Sequence, residues 1–277
     1  MYDLFAQAPG WFVLGVFMLV PALAAIALHA IFRRIVPASK LIPHHDVAGF
    51  LVAIVGVLYA VVLGFLVISV WSSFDQAQRN ADAETNAIAD ILYLTRALPD
   101  PERARERLLL SAYAREVRDV EWPMLANGEE DLRARAILAA ALNVIATSEI
   151  PPGTRQTEIL RQTSLRDAAL SSFREVTAHR RLRLLDARSQ VQPTMYVAMI
   201  AGGLIVLAFV FLFGVDNFAL QAVMTGLVAA MIGLQIGIIF EMDRPFWGAI
   251  HVTSDAWSLL IGDNHLEAIQ DPGSGTP

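Results

Sequence analysis

Apolar residues dominate four stretches of the chain, each long enough to cross a lipid bilayer as a helix. The stretches cover residues 10–32, 47–71, 194–213 and 218–240, and none has Asp, Glu, Lys or Arg in its interior. A helix needs about 20 apolar residues to cross roughly 30 Å of hydrocarbon. The pattern predicts an all-α membrane protein with four transmembrane helices, and Pro21 is expected to kink the first.

The pattern changes between residues 73 and 192, where apolar positions recur at helical spacing among many charges. This segment holds 17 of the 21 basic residues and 18 of the 27 acidic residues of the chain. Pro and Gly clusters divide it into four predicted helices, at about 74–98, 101–126, 129–149 and 154–192. The sequence therefore predicts a helical-bundle extramembrane domain inserted between spans two and three.

The predicted organisation has four parts. A transmembrane hairpin covers residues 1–72, the helical domain 73–192, a second transmembrane hairpin 193–244, and an acidic C-terminal tail 245–277. No helix breaker separates the second span from the first domain helix, so the two are expected to be continuous. With four spans, both termini and the domain lie on one side of the membrane.

The side of the membrane on which the helical domain lies is predicted from the basic residues near the span ends. Seven arginines lie close to the spans on the domain side, whereas the short loop between the first two spans has Arg33, Arg34 and Lys40. Cytoplasmic segments carry the excess of basic residues. We therefore expect a multi-pass protein of the cell inner membrane with a cytoplasmic domain and cytoplasmic termini.

Composition narrows the function. Hydrophobic residues make up 55% of the chain, charged residues only 17%, and the net charge is −6, without a basic stripe. Nucleic-acid binding is therefore not expected. The chain has no cysteine, and adjacent side chains such as His44 and His45 point in different directions, so neither a metal nor a cofactor is predicted. No catalytic motif is present, and the chain is not expected to be an enzyme.

Small residues form a stripe along one face of the second span. They follow one another at intervals of four, three, four and four residues, in the order Gly49, Ala53, Gly56, Ala60 and Gly64. Such stripes let helix backbones approach closely in lipid. The fourth span repeats the device less strictly, and Gly233 and Gly237 are its helix-packing candidates.

The face of the second span opposite that stripe carries larger side chains. The pore-lining candidates on it are Val55, Leu58, Val62, Phe65 and Ser69. If several copies assemble with this face inward, they enclose an apolar constriction that can gate ion flow by dewetting. The alternative is that these side chains face lipid or other helices of the same subunit.

Three charged residues are candidates for a site in the domain or at a channel mouth. Glu84 lies within an apolar stripe, three residues after Ala81 and four before Ile88. A carboxylate there needs a partner, so Glu84 is expected to form a structural ion pair with an arginine of a neighbouring helix. The alternative is that it is a charge at the cytoplasmic mouth of a pore. Asp243 and Arg244 end the fourth span, where they mark the water boundary or dock the tail onto the domain.

Several motifs give the chain a family resemblance. They cover most of the chain, and the most distinctive are Glu121-Trp122-Pro123 and Asp243-Arg244-Pro245-Phe246; the others are Val47 to Leu63, Trp71 to Phe74, Ala83 to Ile88, Leu98-Pro99, and the segment that begins at Tyr113. In these motifs the chain resembles the bestrophin-like family of bacterial membrane proteins.

The resemblance implies a four-span fold related to bestrophins, which assemble as pentameric ion channels around a pore lined by the second span. Bestrophins conduct anions in animals, and some bacterial relatives pass cations. The acidic calcium clasp and the aromatic neck of animal bestrophins have no matching positions here. Calcium gating and ion selectivity therefore do not carry over to this chain.

Two functions remain open from the sequence. The first is a homo-oligomeric ion channel, a pentamer by resemblance, with inorganic ions, the lipid bilayer and further copies of itself as partners. The second is a non-conducting membrane scaffold whose helical domain recruits a cytoplasmic partner. The second arises because the sequence contains no polar residue that must line a pore.

Overall fold

The structure, a computed structural model, describes residues 8–42, 45–148, 152–213 and 215–263. All regular elements within these residues are helices. Four of them are long and apolar enough to cross a membrane. The predicted all-α fold with four transmembrane helices is therefore confirmed.

The chain divides into two compact units. Of the described residues, the first contains those within 8–74 and 189–251, and the second those within 75–188 and 252–263. Helix α3 (His45–Leu94) begins in the first unit and ends in the second, and it runs unbroken over 50 residues. The other helices of the first unit are α1 (Gly10–Ile35), the short α2 (Ala38–Leu41), α8 (Pro193–Phe211) and α9 (Phe218–Met242).

In the first unit, α9 packs against α1 through its glycines. A Cβ atom added at Gly237 would lie 2.8 Å from the Cβ of Phe17, and one at Gly233 would collide with the Phe17 carbonyl oxygen and lie 2.9 Å from Pro21. The rings of Phe17 and Phe240 then meet at 5.1 Å between centroids. The two glycines named as helix-packing candidates in the fourth span therefore lie where α9 comes close to α1.

A second close approach joins α3 to α8, and it depends on a tyrosine. The Tyr59 hydroxyl donates a hydrogen bond to the Met199 carbonyl oxygen at 3.0 Å. A Cβ at Gly202 would lie 2.6 Å from the Tyr59 ring, and one at Gly203 would lie 3.1 Å from its hydroxyl. Next to this contact, a cluster of buried hydrophobic residues contains Leu63, Val70, Met199, Ile239 and Met242.

The second unit is a bundle built from the end of α3 and the helices that follow it. These are α4 (Asp100–Glu116), a π-helical stretch (Val117–Glu121), the short α5 (Trp122–Leu125), α6 (Leu132–Thr147), α7 (Gln156–Asp186) and α10 (Asp255–Asp263). Helix α6 begins after Asp131, whose carboxylate accepts from the backbone N–H groups of Arg133 and Ala134 at 3.0 and 2.9 Å. This cap satisfies donors that have no partner within the helix.

Part of the predicted acidic tail belongs to this bundle. Trp257 of α10 is fully buried, and its ring meets Tyr113 edge-on at 5.8 Å. The Val252 carbonyl oxygen accepts a hydrogen bond from the Trp122 indole at 3.1 Å. Residues 264–277, the end of the predicted tail, lie outside the described residues.

Candidate functional site

The five pore-lining candidates lie on α3 within the first unit, and all keep part of their surface exposed. Leu58 is 64% exposed, Val62 50% and Phe65 69%. Val55 is half-buried and Ser69 exposed. The chain's own helices therefore leave this apolar face largely uncovered.

A different face of α3 makes the contacts within the chain. It carries Tyr59, Leu63, Leu66, Val67 and Val70, which pack against α8 and α9. Among the described residues, this packing of the second span thus involves a face other than that of the pore-lining candidates and little of the small-residue stripe.

The small-residue stripe is also largely uncovered. A Cβ added at Gly56 or Gly64 would meet no described atom within 4 Å, and one at Gly49 would lie 3.6 Å from the Phe213 ring. Ala53 and Ala60 are exposed. The predicted helix packing along this stripe is not made by the part of the chain that the structure describes, so it stays a prediction about contacts with other molecules.

Asp243 and Arg244 hold the end of α9 to the residues that precede α8. The Asp243 carboxylate accepts a hydrogen bond from the Val191 backbone N–H at 2.5 Å. Arg244 donates to the Gln190 amide oxygen at 2.9 and 3.3 Å when that amide is oriented to satisfy both groups. A small polar cavity of about 130 Å³ lies beside them, lined in part by Asp243 and Ser69.

Glu84 belongs to a buried charge cluster in the second unit. Arg183 donates to the Glu84 carboxylate through Nε at 2.7 Å and through Nη2 at 3.2 Å. The Tyr113 hydroxyl donates to the same carboxylate at 2.5 Å. All three side chains are fully buried. The surroundings of Glu84 therefore favour the structural ion pair over a charge at a pore mouth.

A second carboxylate, Glu121, completes the cluster. It accepts from Arg183 Nη2 at 2.9 Å and from Arg180 Nη2. The Asp131 backbone N–H donates to it at 3.2 Å, and Arg183 also lies 5.4 Å from the centroid of the Trp122 ring. Two guanidinium groups and two carboxylates thus balance one another out of water, as buried charges require.

Burial and neighbouring charges both shift pKa values in this cluster. Burial alone would lower the pKa of Arg183, but the charges of Glu84 and Glu121 more than offset it, so the pKa is raised. Burial also raises the pKa of Tyr113, and the neighbouring Glu84 charge adds to the effect. Arg183 therefore stays charged, and Tyr113 stays a neutral hydrogen-bond donor.

The π-helical stretch includes Glu121 and directly precedes Trp122, so it presents both to the cluster. One extra residue per turn changes the direction of the side chains that follow, and such stretches recur at functional sites. The Glu-Trp-Pro motif singled out in the sequence thus lies where α4 changes its winding. Sequence periodicity predicted a single helix over residues 101–126, which the structure shows as α4, the π-helical stretch and α5.

His29 is a buried polar residue of the first span that the sequence analysis missed. It is fully buried, and its ring stacks on Phe218 at 5.8 Å and lies 5.3 Å from the Phe211 ring. Histidine is polar but is not among Asp, Glu, Lys and Arg, the residue types by which the spans were judged free of charge. The signal that would have found it is the general cost of a polar group inside a membrane.

A comparison with protein families places the chain. A family model described as a Bestrophin-like domain matches residues 19–257. The chain belongs to the Bestrophin-like family. Membership of the Bestrophin-like family supports a function of the ion-channel kind for this membrane protein. A comparison with curated proteins gave no match.

Solved structures of other membrane proteins share the fold. A point variant of a bacterial bestrophin homologue from Klebsiella pneumoniae is 15% identical over 90% of this chain and 99% of that chain, with a TM-score of 0.54. A point variant of another membrane protein is 15% identical over 90% of this chain and 97% of that chain, with a TM-score of 0.60. At this identity the likeness shows the fold alone.

Replacing Arg183 by methionine is expected to destabilise the protein strongly. The change leaves Glu84 without its arginine partner, and breaking a buried pair costs about 3–5 kcal/mol. Thermal unfolding of the purified protein in detergent measures the effect. The matched control is Arg79→Met, since Arg79 is 55% exposed beside Asp75 and such pairs contribute about 0–1 kcal/mol. Equal losses for the two variants would contradict the account of the cluster.

Glu106 of α4 gives the second unit a predicted dependence on pH. It is fully buried, neither carboxylate oxygen has a hydrogen-bond partner among the described residues, and burial raises its pKa from 4.5 to about 8. Because the folded state holds the proton more tightly, this contribution to stability is complete below pH 4.5 and is lost as the pH rises through about 8. The full loss is about 5 kcal/mol.

Glu106→Gln is therefore expected to remove a fall in stability between pH 5 and pH 9, because an amide does not ionise. Thermal unfolding at pH 5, 7 and 9 tests this, and Glu129→Gln, at an exposed position, is the control. A Glu106→Gln profile parallel to that of the unsubstituted protein would show that Glu106 does not titrate in this window.

Proposed function

We propose that this Bestrophin-like protein assembles into a homo-oligomeric ion channel in which the second span lines the pore. Leu58, Val62 and Phe65 of each copy form an apolar constriction, with Val55 and Ser69 on either side of it along α3. The observation that carries the proposal is the largely uncovered apolar face of α3, on which Leu58 is 64% exposed and Phe65 69% exposed. Family membership supports the same assignment.

An apolar constriction works by excluding water. An ion that enters a narrow ring of leucine, valine and phenylalanine side chains loses its hydration shell, and nothing in the ring replaces it. Flow therefore requires the ring to widen or to become hydrated. The polar cavity beside Ser69 and Asp243 lies near the C-terminal end of the second span, where ions regain polar surroundings.

Neighbouring copies meet, in this proposal, along the small-residue stripe. Gly56 and Gly64 leave open space beside α3, and a helix of a second copy fits against them at short range. Without a hydrophobic driving force between helices in lipid, close packing of this kind is what holds them together. The number of copies is five by family resemblance.

The helical unit and both termini lie, in this proposal, on the cytoplasmic side of the cell inner membrane. Seven arginines near the spans on the domain side support this orientation, against three basic residues in the opposite loop. Arg180 and Arg183 form ion pairs with Glu121 and Glu84 in the buried charge cluster, so their charges are neutralised within the helical unit. The five that remain are at least partly exposed, so the excess is smaller than the sequence suggests but keeps its sign.

Val62→Asn is expected to raise basal ion flux through the purified protein in liposomes. The amide hydrates the constriction, and each 1.4 kcal/mol removed from the barrier raises the rate about tenfold. Val57→Asn is the matched control, because Val57 is 64% exposed and lies about 140° around the helix from Val62. Size and symmetry are measured on the same samples by electron cryomicroscopy.

Equal flux from the two asparagine variants and the unsubstituted protein would contradict this pore face. So would gated flux that persists unchanged when Leu58, Val62 and Phe65 are each replaced by alanine. Absence of flux across salts, pH and voltage, from a monomer or dimer, would overturn the channel proposal. The scaffold would then be the better account, and its helical unit should purify with a partner.

The orientation is tested by labelling single cysteines in intact cells. The chain has no cysteine, so each substitution gives a unique thiol. Leu160→Cys, at a position 62% exposed in the second unit, should react with a membrane-impermeant maleimide only after the membrane is permeabilised. Ser39→Cys, in the loop between the first two spans, should react at once. The reverse pattern would place the helical unit outside the cytoplasm.

A further inference from the structure

An apolar groove runs between α1 and α8 in the first unit. Its volume is about 550 Å³, and the residues that line it include Pro21, Ala24 and Phe32 of α1, Leu204 and Ala208 of α8, and Leu212 directly after α8. Every lining side chain is a hydrocarbon. Ala24 and Ala208 are exposed, so small side chains keep the groove open.

The groove has the length of one membrane leaflet. Pro21 and Phe32 are eleven residues apart, which is about 16 Å along a helix. Half of the roughly 30 Å hydrocarbon core is about the same. Pro21 lies midway along the first apolar stretch, so the groove extends from the middle of the bilayer to the surface at the end of α1.

An arginine bridges the two helices at the surface end of the groove. Arg33 follows Phe32 directly, and its Nη2 donates to the Val215 carbonyl oxygen, just beyond the end of α8, at 3.1 Å. Its Nη1 is buried and has no hydrogen-bond partner among the described residues, while the side chain as a whole is only partly buried. Asp216, the acidic residue next to Val215, has an exposed side chain and makes no ion pair with Arg33 in the described part of the chain.

We propose that this groove binds an acyl chain of an anionic phospholipid whose phosphate is held by Arg33. Guanidinium groups favour phosphate because their paired N–H donors match two of its oxygens. The hydrocarbon lining matches the acyl chain, and the length of the groove matches the leaflet that supplies it. Charge complementarity selects an anionic headgroup over a zwitterionic one. The proposal is independent of ion conduction.

The test measures lipid binding to the purified full-length protein in detergent by native mass spectrometry. The probes are phosphatidylglycerol and phosphatidylcholine with identical acyl chains. We expect phosphatidylglycerol to bind about fivefold more tightly, the equivalent of one basic residue at a membrane surface. Arg33→Gln should remove this preference, and Arg33→Lys should keep it because the charge remains.

Filling the groove should weaken binding of both lipids. Ala24→Trp and Ala208→Trp each occupy the acyl-chain path, and losing the burial of two methylene groups corresponds to about a tenfold loss of affinity. The control is Ala219→Trp, at an exposed position on α9 outside the groove. Asp216→Asn should leave phosphatidylglycerol binding unchanged or tighter.

Three results would overturn the proposal. The first is equal affinity for the two lipids. The second is lipid binding that the groove variants leave unchanged. The third is dissociation of the oligomer by Ala208→Trp with lipid binding intact, which would show that a second copy of the chain covers the groove.

Discussion

The second unit depends on the neutralisation of two arginines inside it. Arg180 and Arg183 lie one turn apart on α7, and both are buried. Neither guanidinium group can lose its proton or stay unpaired away from water. Glu84 and Glu121 therefore have to meet them, one from α3 and the other from the π-helical stretch after α4. This requirement sets the register of the bundle, because a shift of any helix by one turn would leave a buried charge without a partner.

The first unit is subject to a different constraint, because the hydrophobic effect does not drive apolar helices together within lipid. Its helices are held where small residues allow a close approach, at Gly233 and Gly237 against α1 and at Gly202 and Gly203 against the Tyr59 side chain. The same kind of stripe on α3 is largely uncovered within the described chain, where a Cβ at Gly56 or Gly64 would meet no atom within 4 Å. One face of α3 thus packs against helices of the same chain, and its other faces are left for contacts with other molecules. The proposed pore therefore forms only when several copies of the chain assemble.

The sequence predicts what depends on local pattern. The four spans, the continuity of α3 and the need of Glu84 for a partner all follow from periodicity, length and the cost of a buried charge. The identity of that partner does not, because Arg183 lies 99 residues away and only the folded bundle brings it close. The contacts of Tyr59 are also not predictable from the sequence, since a tyrosine in an apolar span does not indicate against which glycines its ring packs. The π-helical stretch and the place of Trp257 in the bundle likewise depend on tertiary contacts.

The central claim is that copies of the chain place the uncovered face of α3 around a common axis. The most direct test is a structure of the assembled protein in lipid nanodiscs by electron cryomicroscopy. The account predicts a closed ring in which Leu58, Val62 and Phe65 point toward the axis and Gly56 and Gly64 meet a neighbouring copy. A monomer or dimer, or a ring in which the Leu58 face meets lipid, would contradict it.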